Sequence, residues 1–361
     1  MEKYQSIQAM RGLATFLIVV AHAIEHSSGW GAMTKRMLDV ASGTGIFGVL
    51  MFFTISGFIL LRTSYENFGR QGSAGRFLFK RIIRIVPLYW LATLLEYGLR
   101  VRGGTAPDLS HLLQSMFFIP FLAKPEVDVA MRPVLGVGWT LNYEMGFYAL
   151  FALTLVLRRR LGILVTTIVL AGLVTVGAAF KPLSDTSSPL TAFTFLTDPI
   201  ILLFVAGMML AVCERGMPSL RQRINKPVLV ASTVMFATIG ITVAWLGAYP
   251  FPLASQAAVY FMAVVCIGLC VFGDMRGGSH SVIRLARFLG DASYSIYLFH
   301  FFAIVAVGRT IPWADPVVFV GISSIAATAA GVLIYLTVEV PLTAALRRLS
   351  HPRSEAVAIT A

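Results

Sequence analysis

Residues 43–61 read GTGIFGVLMFFTISGFILL. The stretch carries no charge, and as an α-helix it would be about 28 Å long, close to the thickness of a bilayer's hydrocarbon core. Further apolar runs fall near 7–26, 85–99, 134–157, 161–180, 197–213, 227–247, 253–272, 291–309 and 316–340. Together they predict an all-α polytopic membrane protein, a bundle of about ten transmembrane helices. The run at 112–122, LLQSMFFIPFL, is too short to cross and is expected as a re-entrant or surface segment. The first span holds Arg11 and no small-residue cleavage site follows it, so it reads as a retained helix rather than a removable leader.

Composition agrees. Of 361 residues 57% are hydrophobic and 13% charged, whereas a soluble domain carries about 25% charged residues. Mean hydropathy is +0.79. A soluble enzyme is thereby excluded, because so few charges cannot cover so much apolar surface. With the N-terminus placed inside, 21 of the 29 Lys and Arg fall on inner segments and 8 on outer loops. The positive-inside rule then puts both termini in the cytoplasm, in a multi-pass protein of the bacterial inner (cytoplasmic) membrane. The net charge of +12 is this topological signal together with attraction to anionic membrane lipid. It is not a nucleic-acid footprint, so no nucleic-acid partner is expected. Residues 1–345 are expected to form one integral membrane domain, with 346–361 as a short cytoplasmic tail. Cys213, Cys266 and Cys270 all fall within expected spans and read as small apolar core residues, with no metal site expected.

Charged and titratable side chains inside a bilayer each cost about 2.5–3.5 kcal/mol on insertion scales, so each needs a reason. Arg11 and His22 lie eleven residues apart, only about 20° from three full turns, and therefore share one helix face about 16 Å apart along its axis. Thr15 and Ile18 fill the same stripe. Separately, Arg11 reads as a snorkelling anchor and His22 as an interfacial residue. Together they suggest one shared cavity. Glu144, in GVGWTLNYEMGFYALF (136–151), sits mid-span, where a carboxylate needs a partner on another helix or a chemical role. His300 is mid-span among aromatic residues, either a hydrogen-bonded core residue or an assisting imidazole. Glu339, before Pro341, is accounted for by capping or by pairing with Arg84. Arg81 and Arg84, one turn apart in RFLFKRIIRIVPLYW (76–90), point the same way. They mark a cytoplasmic loop or form a phosphate clamp.

Two motif matches are decoys. His22–Ala–Ile–Glu25–His26 fits H-x-x-E-H, but no convincing third ligand follows for zinc. Gly43–Thr–Gly45–Ile–Phe–Gly48 fits G-x-G-x-x-G, but it opens a membrane span with no strand before it and reads as helix packing.

Six segments in order resemble the membrane acyltransferase-3 family. They are Ser6–Ile–Gln–Ala–Met–Arg11–Gly–Leu–Ala with His22, Phe52–Phe–Thr–Ile–Ser56–Gly57–Phe58, and Arg81–Ile–Ile–Arg84–Ile–Val–Pro87–Leu–Tyr89–Trp90. Gly138–Trp139–Thr–Leu–Asn142–Tyr–Glu144 through Phe147–Tyr148, Gly290–Asp291–Ala–Ser293–Tyr294–Ser–Ile–Tyr297–Leu–Phe–His300, and Glu339–Val–Pro341 complete the order. The combination is most similar to the branch of exopolysaccharide-production O-acetyltransferases. This chain departs at Leu50, where many relatives carry Asp, and no soluble SGNH-type esterase domain of the kind that some relatives append is expected in it.

The resemblance implies acetyl-CoA or another acyl-CoA as donor substrate, entering from the cytoplasm. It implies a carbohydrate acceptor, free or lipid-linked, and leaves a homodimer open. Its site residues would be His22, Arg11, Glu144 and His300 for chemistry, with Arg81, Arg84, Ser293 and Tyr294 binding the donor. The competing reading is a proton-coupled transporter of a small molecule or lipid-linked saccharide, which would also need intramembrane His, Glu and Arg. Absence of a visible internal repeat counts against it.

Overall fold

The computed structural model describes residues 5–27, 35–105, 107–120, 132–180, 192–217, 231–235, 238–242, 253–273, 281–313 and 315–350, and every regular element among them is helical. Helices α1 (Gln5–Ser27), α2 (Lys35–Ser64) and α3 (Ser73–Arg102) come first, then the short α4 (Leu109–Met116). A 3-10 turn, Gly136–Gly138, leads into α5 (Trp139–Thr154), followed by α6 (Arg159–Phe180) and the five-residue α7 (Ala192–Leu196). A second 3-10 turn, Pro199–Ile201, opens α8 (Leu202–Gly216). The chain continues through α9 (Leu253–Phe272), α10 (Ser281–Asp291), α11 (Ser293–Thr310) and α12 (Pro316–Ile334). A π-helical turn, Tyr335–Glu339, joins α12 to α13 (Val340–Ser350).

Among the described residues seven helical stretches are long and apolar enough to cross a membrane, and eight if α10 and α11, bent by 76°, count as one span. Of the ten expected, 134–157 emerges as the 16-residue α5, short of a full crossing, and 227–247 lies mostly outside the described residues. The expected 253–272 matches α9. The expected 85–99 is the middle of a much longer α3, because the cations of 76–84 that end a hydropathy window are good helix formers and continue the helix.

The run at 112–122 contains α4, whose exposed Phe117 and Ile119 follow a helix tied to α3. Tyr89 Oη donates to the Ser115 carbonyl at 3.0 Å and Trp90 Nε1 to the Met116 carbonyl at 2.8 Å. Asp108 caps α4. The His111 backbone N–H, and then the Ser110 hydroxyl, hold its carboxyl below the usual carboxylate range.

Helix α2 is the axis of the bundle, 78% buried along its apolar window, while α6 is only 17% buried and turns its Leu, Ile and Val residues to lipid. Lipid supplies no hydrophobic drive between helices, so close backbone approach must supply dispersion contact instead. A Cβ on Gly57 would lie 2.1 Å from the Phe204 carbonyl oxygen, and one on Gly207 2.1 Å from that of Thr54, so α2 and α8 meet backbone to backbone. Gly48 stands likewise against the Ala14 carbonyl at 2.6 Å, confirming that Gly43–Gly48 is helical packing surface. Gly290 abuts Gln8 where α10 crosses α1.

Candidate active site

One cavity, enclosing about 860 Å³ with its mouth included, opens between α1, α2, α3, α5 and α11. Arg11, Arg81, Arg84, Glu144, Ser293 and Tyr294, six of the eight residues expected from sequence, line it. Val49, Phe52, Phe53, Ile55, Ile59, Leu60, Ile85 and Leu141 supply apolar walls. A largely apolar cleft with a few convergent polar groups is the ordinary form of a small-molecule site.

Each polar group arrives by a traceable route. Arg11 stands on the second turn of α1, its Nη1 donating to Gln8 Oε1 at 3.3 Å, and Gln8 in turn donates to Asp291 Oδ1 at the bend between α10 and α11. The first helix is thus latched to the bend that presents Ser293, Tyr294 and Tyr297. Arg81 and Arg84 project together from α3, as the i, i+3 spacing requires. The Arg81 guanidinium sits 5.5 Å from the ring centres of Phe77 and Tyr148. Tyr294 Oη donates to the Ile85 carbonyl at 2.7 Å, two residues before Pro87.

Glu144 Oε1 accepts from Ser56 Oγ at 2.8 Å and from the Tyr148 hydroxyl. The expected tie to Arg or His on another helix is therefore replaced by two hydroxyls, and the carboxylate shares the cavity with three guanidiniums. Ser56 and Tyr148 were not singled out by the sequence as site residues. Glu339 is buried and accepts from Ser295 Oγ at 2.6 Å, so Ser295 takes the place expected of Arg84. The π turn that carries it precedes Pro341, which cannot donate to an α-helical carbonyl.

His22 and His300 are not among the cavity's lining residues. They stack on each other, ring centres 5.2 Å apart and planes at 28°. His300 is fully buried; its Nδ1 lies 2.7 Å from the Tyr297 carbonyl, and its ring is 6.1 Å from that of Tyr297, a cavity residue. The expected shared cavity therefore holds Arg11 but not His22, and the His300 ring packs against both His22 and the cavity residue Tyr297. Tyr297 is fixed there by hydrogen bonds to the Val137 carbonyl at 2.6 Å and Thr140 Oγ1 at 2.7 Å. His22 Nδ1 bonds Glu25 Oε2 at 2.9 Å, while His26 packs instead on Phe319 and Phe301. Leu50 lies fully in the core.

The acyltransferase domain family (Acyl_transf_3) matches residues 4–336. The chain is 36% identical to the "Exopolysaccharide production protein ExoZ" of Rhizobium meliloti (strain 1021), over 82% of this chain and 89% of that protein. It is 26% identical to "Nodulation protein 10" of Rhizobium leguminosarum bv. viciae, over 76% of this chain and 79% of that protein. It is 27% identical to BcsY of Komagataeibacter xylinus, named as a candidate membrane-bound transacylase, over 83% of this chain and 73% of that protein. No solved structure matches the chain. With a helical membrane bundle, a cavity built from the ordered motifs and a family match over nearly the whole chain, the protein belongs to the acyltransferase-3 family of membrane acyltransferases.

Proposed function

We propose that the protein moves an acyl group, acetyl first among them, from acyl-CoA to a sugar hydroxyl of an exported polysaccharide or its lipid-linked precursor. The observation that carries this reading is the convergence of Arg11, Arg81 and Arg84 on one cavity with apolar walls. Three guanidiniums suit the phosphates of a coenzyme A, and apolar walls suit its pantetheine arm. Ser293 and Tyr294 line the same space and would contact the donor. Under the topology read from charge, in the inner membrane with both termini cytoplasmic, this end of α1 and α3 faces the cytoplasm, where acyl-CoA is found. The 36% identity to an exopolysaccharide production protein supports a carbohydrate acceptor.

In the proposed reaction His22 Nε2 takes the proton of the acceptor hydroxyl as its oxygen attacks the thioester carbonyl. The carbon–sulfur bond breaks, the ester forms, and the proton passes to the departing thiolate to give free coenzyme A. Arg11 would contact the coenzyme A arm of the donor, and Glu144, held by Ser56 and Tyr148, would orient donor or acceptor. His300 assists by packing against His22.

The test is proton NMR of the host's extracellular polysaccharide with the gene deleted and then restored as wild type or His22→Ala. One ester signal should vanish on deletion and return only with wild type. Ester content unchanged in every surface and secreted glycan, with no thiol released from acetyl-CoA by the purified protein, would overturn the proposal in favour of transport.

A further inference from the structure

His22 is held from two sides. One ring face stacks on His300 at 5.2 Å, and its Nδ1 edge meets Glu25 Oε2 at 2.9 Å, one turn further along α1. His300 is itself locked. Its Nδ1–H donates to the Tyr297 carbonyl at 2.7 Å, so it carries no Nε2 proton in the neutral form, and that nitrogen is buried without a hydrogen-bond partner among the described residues. A carboxylate against Nδ1 selects the Nδ1–H tautomer of the neighbouring imidazole, and the proton-free position is then Nε2.

We propose that Glu25 is a positioning residue for acyl transfer: its carboxylate holds His22 as the Nδ1–H tautomer with Nε2 free to take the acceptor's proton. The inference rests on the reading of His22 as the base. A carboxylate three residues on along a helix is often no more than a surface pair of little energetic weight. The stacking on His300 separates this pair from that background, because it fixes the plane in which Glu25 must meet the ring. Proton balance is simple. The hydroxyl proton passes to Nε2 as the ester forms and the thioester's carbon–sulfur bond breaks, the imidazolium sits against the Glu25 carboxylate, and the proton leaves with the thiol. Glu25 never gives up or takes a proton.

The experiment compares wild type, Glu25→Gln, Glu25→Ala and His22→Ala as purified full-length protein in proteoliposomes, with acetyl-CoA as donor. Both Glu25 variants should lose about a hundredfold or more in kcat, by the scale of a tautomer-holding carboxylate. The KM for acetyl-CoA should stay within about twofold, because the donor cavity does not include Glu25. If both variants keep kcat within about threefold of wild type while His22→Ala is inactive, the Glu25 proposal is wrong and the His22 reading stands. If His22→Ala is active, both fall. Selective 15N-histidine NMR on wild type gives an independent check that needs no variant at position 25. A protonated Nδ1 and bare Nε2 at His22 above neutral pH are expected, and the opposite tautomer would overturn the proposal.

Discussion

Gly57 is the position where a single added methyl tests both the packing and the site. An alanine Cβ there would lie 2.1 Å from the Phe204 carbonyl oxygen, 2.8 Å from its carbon and 2.9 Å from Phe204 Cα. Ordinary contact begins near 3.4 Å, so α2 and α8 must separate locally by about 1.3 Å. The obstacle is backbone on a neighbouring helix, which cannot swing aside as a side chain can. Overpacking of this kind costs about 1–3 kcal/mol, and a backbone obstacle belongs at the upper end. Domains of 150–250 residues lose about 2–4 °C of Tm per kcal/mol, so Gly57→Ala should melt several degrees below wild type.

The same displacement reaches the chemistry. Ser56 precedes Gly57 and donates to Glu144 at 2.8 Å; a shift near 1 Å breaks that bond and leaves Tyr148 alone on the carboxylate. Acyl transfer per folded molecule should therefore fall as well. Gly172→Ala on α6 is the control, because nothing lies within 4 Å of its added Cβ. The assay is thermal denaturation in detergent followed by size-exclusion recovery, with thiol release from acetyl-CoA measured on the surviving fraction. A Gly57→Ala protein that melts with wild type and the Gly172 control would refute the backbone-to-backbone contact of α2 and α8. One that melts early yet turns over normally would refute the link from Ser56 to the site.

Arg81→Ala and Arg84→Ala should each raise the KM for acetyl-CoA by about tenfold or more, the scale of a lost charge-assisted hydrogen bond, and steady-state kinetics with unchanged KM would remove the phosphate role. Tyr65 lies between two guanidiniums, 4.3 Å from Arg159 and 3.9 Å from Arg215, and Glu66 bonds Arg215 at 2.6 Å and faces Arg159 at 3.6 Å. Tyr65→Leu should cost about 1 kcal/mol of stability and leave turnover per folded molecule unchanged, since this clamp joins α2, α6 and α8 away from the cavity; lost turnover at normal Tm would contradict that.

What the sequence disclosed follows from what bilayers penalise. Arg11 and Glu144 stand out because a charge in an apolar run is costly, Arg81 and Arg84 because two cations one turn apart point the same way, and all four line the cavity. Ser56 and Tyr148 carry no such mark. A hydroxyl inside a helix can bond a carbonyl of its own turn at little cost, so nothing in FFTISGF distinguishes Ser56 from Thr54, whose hydroxyl does bond the Leu50 carbonyl. The length of α3 was hidden for the converse reason: hydropathy ends a span at its cations, whereas the helix ends where its hydrogen bonds do. The bend at Ala292 between α10 and α11 leaves no Pro, and its partner Gln8 is almost the whole chain away.

The helical wheel that placed Arg11 and His22 on one face gave their direction and their separation of about 16 Å, but not what fills the space between them. That space holds Tyr297, pinned by Val137 and Thr140, and the half-buried Phe52, whose ring centre is 6.3 Å away. Tyr297 is thus fixed by two hydrogen bonds, whereas Phe52 is held by packing. On the proposed reading this asymmetry decides what travels. A pantetheine arm is a thin, flexible chain that can pass a displaced phenyl ring, whereas a sugar is broad and heavily hydrated and would strand its hydroxyls among Phe52, Phe53 and Ile55. The donor's thioester would then come to His22, and the acceptor would meet it from the side where His22 and Glu25 remain 32% and 40% exposed. On that reading the two substrates would approach from opposite ends, with the histidine pair as their meeting point.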